Sequence, residues 1–570
     1  MGAILVWLWR QRALVGAGLV VLLVVDGLQV AVPLLIKAGI DDLAQGGTRL
    51  GWYAGGIAAL AAVIAVLRFF WRWFLIGAAR RIRRDLRQAY FARLLRLSPA
   101  WYDGRSTGDL MSIAASDLEA VGMACGFGVM AAFDALFLVV ATGGAMFWLD
   151  PRLTAVALAP LPIMAVFELL AGRSIHRRFR AVQDHQGVLT ERIRETLAGL
   201  RVIRGSARED AVLAAISGDS QEQLRLNRRL IDLSALFDPM IALLAGSAVV
   251  VTVWWGAPRV MAGDLSLGTF VAMLGYLTML TWPMLAIGWV VNLMQRGAAS
   301  MARIGGVLDA PVEPRPTGVP EGTELVVQGL SFSYPGGTRP ALVDLAFTLP
   351  QGGILGVVGA SGSGKSTLVA LLTGLYLLPA GSIRLGGRDL AEVDPRALRQ
   401  RVAVVPQEPF LFALSVRDNL ALGRPDATDG EIAEAARLAC LDTEIAALPQ
   451  GYDTLLGERG VSLSGGQRQR LAIARALLCR APILILDDSL SAVDGATEAA
   501  ILAHLREAFR GRTVVVIAHR LSAVAAADEI LVLDHGRIAE RGRHGTLASA
   551  GGLYSRLVEL QGAEEAEAAS

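Results

Sequence analysis

Six stretches in the first 300 residues, at 13–36, 52–76, 122–148, 153–171, 236–257 and 268–291, are apolar over roughly the ~20 residues a helix needs to cross hydrocarbon. Inside a bilayer no water satisfies backbone N–H and C=O groups, so such runs must fold as helices. Composition agrees: 54% of the 570 residues are hydrophobic and the mean hydropathy is +0.48, well above an ordinary soluble chain. An even number of spans puts both chain ends on one side. Arg80, Arg81, Arg83, Arg84 and Arg87 follow the second span, and Arg173, Arg177, Arg178 and Arg180 follow the fourth, whereas the other connections are short and carry few basic residues. Positive charge marks the cytoplasmic flank, so the termini and both long connections read as cytoplasmic. Arg10 and Arg12 precede the first run, and no small-residue cleavage site closes it, so it reads as a retained span rather than a signal peptide.

The net charge is only +2, and the arginines gather beside apolar runs, a pattern of membrane flanks that excludes a nucleic-acid partner. Cys125, Cys440 and Cys479 share no metal-like spacing and read as reduced, buried small residues. The long connections 77–121 and 172–235 keep apolar residues three and four apart among Arg and Glu, so the spans are expected to continue as helices beyond the membrane. A proline-rich stretch at 310–322 cannot extend a helix and marks a boundary. Beyond it, short β-rich runs such as Gly353–Val358 and Pro482–Leu486 alternate with helical segments, the signal of an α/β domain with a buried, largely parallel sheet. The expected organisation is an all-α six-helix transmembrane domain at 1–309, a linker at 310–322, an α/β domain at 323–561 and a frayed acidic tail at 562–570.

In that second domain Gly359, Ser361, Gly362, Gly364, Lys365, Ser366 and Thr367 fit the phosphate-loop pattern. Its glycines leave backbone N–H groups free to wrap phosphates, Lys365 reaches the outer phosphates and Ser366 holds Mg²⁺, so ATP and Mg²⁺ are the expected cofactors. Of 54 basic residues only Lys37 and Lys365 are lysines, so an arginine-using chain keeps a compact ammonium at this one motif. Leu463-Ser464-Gly465-Gly466-Gln467, an apolar run ending in Asp487 and Asp488, and His519 follow in order.

Together these strings resemble the ATP-binding cassette (ABC) transporters. Thr107-Gly-Asp-Leu-Met, Gly263-Asp-Leu-Ser-Leu-Gly-Thr-Phe and Arg303-Ile are similar to the family's exporters, in which six spans are fused to one nucleotide domain. The resemblance implies that two nucleotide domains face head to tail, each ATP lying between the phosphate loop of one and Ser464, Gly465 and Gly466 of the other, flanked by Leu463 and Gln467. It further implies that Tyr334 stacks on adenine, Gln407 touches Mg²⁺ and relays to the membrane part, Asp487 holds Mg²⁺, Asp494 sits at the dimer seam and His519 contacts the γ-phosphate. Plainer readings stand beside these: Tyr334 as a strand-edge aromatic, His519 as a surface histidine, and Gly457–Gly460, similar to a partner-contacting segment, as a turn.

One departure stands out. The family has Glu after the Mg²⁺-binding Asp, and this chain has Asp488, a methylene too short to polarise the attacking water. A slow site of its own is expected, and with it a heterodimer in which a second half-transporter carries the Glu; a homodimer is the alternative. Asp26, Asp134, Glu168 and Asp238 lie in or near spans, where carboxylates are costly, and are candidates to meet a small-molecule or lipid cargo; Arg68 and Arg72 are near enough to pair with a neighbour. Trp71, Trp73, Trp148, Trp254 and Trp255 read as interface belts. The expected protein is an exporter of amphipathic compounds in the inner (plasma) membrane, surrounded by lipid; import of a metal chelate, or an ATP-gated regulator without transport, are the alternatives.

Overall fold

The computed structural model describes residues 2–312, 316–457, 460, 463–493 and 495–569, and of residues 165, 168, 169, 238, 285, 287, 496 and 562–569 it describes the backbone alone. The chain divides into two compact units, residues 1–95 with 106–310, and residues 96–105 with 311–570. Residues 96–105, which the sequence reading left in the transmembrane domain, thus group with the second unit.

The first unit is helical: α1 (Gly2–Arg10), α2 (Arg12–Ala44), α3 (Leu50–Leu94), then α5 (Thr107–Leu149), α6 (Pro151–Leu158), α7 (Pro160–Ala198), α8 (Glu209–Met261) and α9 (Leu267–Leu308). Among the described residues, five of these (α2, α3, α5, α8 and α9) are long and apolar enough to cross a membrane. The fourth expected span, 153–171, is instead divided between α6 and α7. Pro160 and Pro162 supply no N–H there, and Ala159 bonds back to Val156 in a tightened turn.

α2 packs on α3 and α9, α5 on α9, and α7 on α8. Small residues set the approach. A Cβ on Gly297 of α9 would lie 2.3 Å from Cβ of Ala124 in α5, and one on Gly126 would lie 2.7 Å from Cβ of Ala79 in α3. α5 accommodates these contacts with π-type turns at Ile113–Asp117 and Ala124–Gly128. Pro33 lacks the N–H that the Gln29 carbonyl would accept, and beside that gap the Tyr276 hydroxyl donates to the neighbouring Val30 carbonyl at 2.7 Å, tying α9 to α2.

The second unit contains α4 (Pro99–Asp103) and a two-sheet α/β body. An antiparallel sheet has the order β2 (Leu342–Leu349), β1 (Leu325–Phe332), β4 (Ile383–Leu385), β5 (Arg388–Asp389). The second sheet runs β10 (Arg537–Gly542), β9 (Glu529–Asp534), β3 (Ile354–Gly359), β8 (Thr513–Ile517), β7 (Ile483–Asp487), β6 (Val402–Val405), all parallel except β10. Every residue of β7 and β8 is buried, as covered parallel strands require. Register pairs Val357 with Ile517, Asp487 with Ile517 and Val405 with Leu486, so four neighbouring strands release their loops along one edge. Ligands of open α/β sheets bind outside such carboxyl ends.

In the stretch expected to be a linker, Gly318 N–H bonds to Glu392 O at 3.0 Å, while residues 313–315 lie outside the described residues. The backbone of the acidic tail is helical to Ala569.

Candidate functional site

At that edge β3 runs into a tight loop and then α10 (Lys365–Leu372). Two glycines there are required by geometry. Gly359 has φ +154° and a Cβ on it would sit 2.2 Å from Leu533 O; Gly364 has φ +102° and a Cβ would sit 2.6 Å from Leu342 Cδ2. The Lys365 ammonium donates to the Gly359 and Ala360 carbonyls at 2.7 and 2.9 Å, leaving one of its three N–H groups for another acceptor. Burial pushes its pKa down, while Asp488 and Asp487 pull it back up.

The loop opens on a cleft of about 630 Å³ lined by Ser361, Gly362, Gly364, Lys365, Ser366 and Thr367 together with Tyr334, Gln407, Asp487, Asp488 and His519. Eleven sequence candidates from five separate segments thus meet in one place, Gly359 contributing its carbonyl from beneath. Asp487 is raised above the ordinary carboxylate range, first by burial, then by the charge of Asp488, against the pull of Lys365 and His519. Asp488 follows the end of β7 in left-handed conformation, φ +46°. Its carboxylate accepts from the Gln407 amide at 3.4 Å and from the His519 backbone N–H at 3.3 Å. Tyr334 turns its hydroxyl to Thr367 Oγ1 at 3.1 Å and stands edge-on to Tyr376, ring centres 5.2 Å apart.

The string Leu463–Gln467 is outside the lining of this cleft. Ser464 caps α11 (Gly465–Leu478): its Oγ accepts from Gln467 N–H at 3.2 Å, and Gln467 Oε1 accepts from Ser464 N–H at 2.9 Å. Gly465 and Gly466 form the first turn, where orphan N–H groups and the helix dipole favour an anion. Asp494, Glu458 and Arg459 lie outside the described residues.

Sequence reasoning missed several participants. Arg339 and His535 also line the cleft. Gln469, 5% exposed, donates to Ser491 Oγ at 3.1 Å and accepts from Ala492 N–H at 2.9 Å, tying α11 to the loop after β7. Tyr376 donates to Asp103 of α4 at 2.9 Å. A Gln inside a helical pattern or a Tyr after one carries no local signal of such long-range contacts.

Of the membrane carboxylates, Asp26 is fully buried in α2, accepting from Gln29 at 3.2 Å, and Asp134 of α5 reaches it and Trp282 of α9. The side chains of Glu168 and Asp238 lie outside the described residues. Also among the described residues, no group of His, Cys, Asp and Glu is arranged to hold a metal by itself, and all three cysteines are free.

Comparison with known proteins accords with this geometry. Residues 15–284 match the ABC transporter transmembrane region and residues 342–491 match the ABC transporter domain. The chain is 40% identical to the multidrug resistance-like ATP-binding protein MdlA of Escherichia coli (strain K12), covering 98% of this chain and 96% of that one. It is 34% identical to the ATP-dependent lipid A-core flippase of Dechloromonas aromatica (strain RCB), covering 94% and 92%. Its fold is similar to a solved structure of a bacterial Atm1-family ABC exporter with ATP bound, with TM-score 0.79, 28% identity and coverage of 97% and 98%.

Helical spans followed by a phosphate-loop α/β domain define an ATP-driven membrane transporter of exporter type. The chain belongs to the ABC transporter family: it is an integral membrane protein whose second unit binds ATP and couples its hydrolysis to transport, in a family that works as dimers. Import and a transport-free ATP-gated regulator are not favoured by these relationships.

Proposed function

We propose that the chain is the slow-site half of a heterodimeric exporter of amphipathic compounds, in the class of the multidrug-type and lipid-flipping relatives, residing in the inner membrane with its termini and nucleotide domain cytoplasmic. ATP drives two nucleotide domains together and turns the membrane cavity outward, and hydrolysis resets it. Tyr334 stacks on the base, the loop from Gly359 to Gly364 wraps the phosphates, and Lys365 and Thr367 hold them. Ser366, Gln407 and Asp487 present hard oxygen donors on one wall of the cleft, the donor chemistry Mg²⁺ takes. Mg²⁺, when bound there, neutralises charge on the phosphates. Leu463 to Gln467, with Asp494 at the seam, complete the partner's site, whose own carboxylate is the expected Glu.

The observation that carries this reading is the tether on Asp488. Both its oxygens are engaged, by Gln407 and by the His519 backbone, and its side chain is a methylene shorter than Glu. A carboxylate drawn back toward the strand ends by about one C–C bond positions the attacking water poorly, a loss on the order of 10²-fold. His519 remains beside the γ-phosphate, but cannot restore that alignment.

The test is ATP turnover of the chain alone in lipid, compared with Asp488→Glu. Near-inactive wild type with a strong gain in the Glu variant is expected. Brisk turnover by wild type would mean a homodimer that uses Asp488 as its base.

A further inference from the structure

His519 is held by its backbone, and one of the two holds comes from the far end of the chain. The residues after it are anchored separately: Arg520 pairs with Glu498 of α12 (Gly495–Ala508) and donates to the Val493 carbonyl at 3.0 Å, and Ser522 Oγ donates to Glu498 Oε1 at 2.7 Å. Glu498 is 4% exposed, so this anchor is a buried carboxylate. The His519 peptide itself is gripped from two sides. Its N–H donates to Asp488 at 3.3 Å, and its carbonyl accepts from the side-chain amide of Gln561. Oε1 of the same amide accepts from Leu521 N–H at 3.0 Å, so Gln561 spans the backbone from 519 to 521.

Gln561 owes that reach to the helix that carries it. In α13 (Leu553–Ala569), Tyr554, Leu557, Val558 and Gln561 recur at i, i+3, i+4 and i+7, one helical face. Tyr554 is fully buried in the apolar core that also holds Leu484 and Leu486 of β7, and Leu557 and Val558 pack against that core. The helix starts on β10, where the Glu540 carboxylate accepts from the N–H groups of Leu553 and Tyr554, the latter at 3.1 Å. β10 is joined through β9 to β3, the strand that feeds the phosphate loop. A Gln on a core-facing stripe must find partners for its carbonyl and its amide, and here both go to the segment that carries His519.

We propose that Gln561 is a positioning residue for the γ-phosphate contact, fixing the His519 peptide so that its imidazole stays aimed into the cleft it lines with Lys365 and Asp488. With N–H and carbonyl both engaged, His519 keeps only side-chain freedom. Without Gln561 the carbonyl is released, the peptide can turn about its remaining bond to Asp488, and the ring loses the sub-ångström placement that a phosphate contact needs. ADP has no γ-phosphate, so its binding does not register the change. The proposal rests on the reading that His519 meets the γ-phosphate, and adds that the terminal helix sets how well it does so.

The experiment is equilibrium binding of ATP and of ADP, each with Mg²⁺, to the full-length chain in lipid nanodiscs, read by displacement of a fluorescent ADP. Gln561→Ala is expected to weaken ATP binding by roughly fivefold, the worth of about one hydrogen bond, with ADP unchanged. Gln561→Lys, which can still donate to the His519 carbonyl, should keep most of the ATP preference, whereas Gln561→Glu, which cannot, should behave as Ala. In a His519→Ala background Gln561→Ala should add nothing, because the group it aims is gone. Equal losses for ATP and ADP, or an undiminished effect in the His519→Ala background, would make Gln561 a merely structural residue and overturn the proposal. So would unchanged ATP binding by Gln561→Ala while His519→Ala weakens it. If His519→Ala itself leaves ATP binding intact, the γ-phosphate reading of His519 falls, and the proposal falls with it.

Discussion

Asp488 shows how one residue sets the character of a site. Its φ of +46° belongs to the left-handed region, which Asp tolerates better than longer side chains, so the backbone after β7 suits the residue present. Its charge also bears on Asp487, whose folded-state pKa is raised. A raised carboxyl favours the protonated form, so its stability contribution is full below the unfolded value and is lost as pH rises through the folded one. Since Mg²⁺ needs the ionised form, Mg²⁺-dependent ATP affinity should fall on acidification sooner than an ordinary carboxylate would dictate. Asp488→Asn removes the second-largest cause of the shift and should move that fall to lower pH. Titrating ATP affinity with and without Mg²⁺ in wild type and variant checks this; identical profiles would remove Asp487 as the metal-binding group.

Helix packing in the first unit depends on close approach, and Gly297 is the sharpest point. Val there would place side-chain atoms inside Ala124, so α5 and α9 must separate, at about 1–3 kcal/mol of overpacking. The expected outcome of Gly297→Val is a lower melting temperature in detergent with Gly297→Ala intermediate; an unchanged melt would show that α5 yields at its π-type turns. In the second unit, burial and then Asp103 push the Tyr376 phenol up to about 12, so it is a donor at every physiological pH. Tyr376→Phe and Asp103→Asn should each cost about 0.5–1.5 kcal/mol and the double variant little more, a non-additivity that thermal melts of all four proteins would read. Strict additivity would mean the 2.9 Å contact contributes nothing. These contacts were illegible in the sequence: the period of a helix reports which face is apolar, not which residue of another helix it meets.

For the whole transporter the two halves of the nucleotide chemistry should separate by mutation. Ser464→Ala removes a helix cap worth about 1 kcal/mol and, on the proposed reading, a donor to the partner's phosphates. In the assembled complex it should reduce turnover strongly, while Asp488→Asn leaves turnover nearly unchanged. Steady-state ATPase of the two variants decides it, and the reverse ranking would favour a homodimer. Ser464→Thr, which keeps both cap and hydroxyl, should restore much of the activity and so exclude simple unfolding.

By itself the sequence determined the parts: helices wherever ~20 apolar residues leave the backbone no other partner, and a phosphate loop whose glycines, Lys365 and Ser366 are chemically legible because they act within nine contiguous residues. Only the tertiary structure decided how the parts meet. The sheet order places β8, β7 and β6 beside β3 although they lie far apart in the chain, and that order alone brings Gln407, Asp487, Asp488 and His519 to the loop. It likewise split the fourth apolar run at Pro160, grouped α4 with the second unit and buried Asp26. Local pattern encodes period and turn chemistry; neighbours are chosen by long-range packing, which no window of sequence contains.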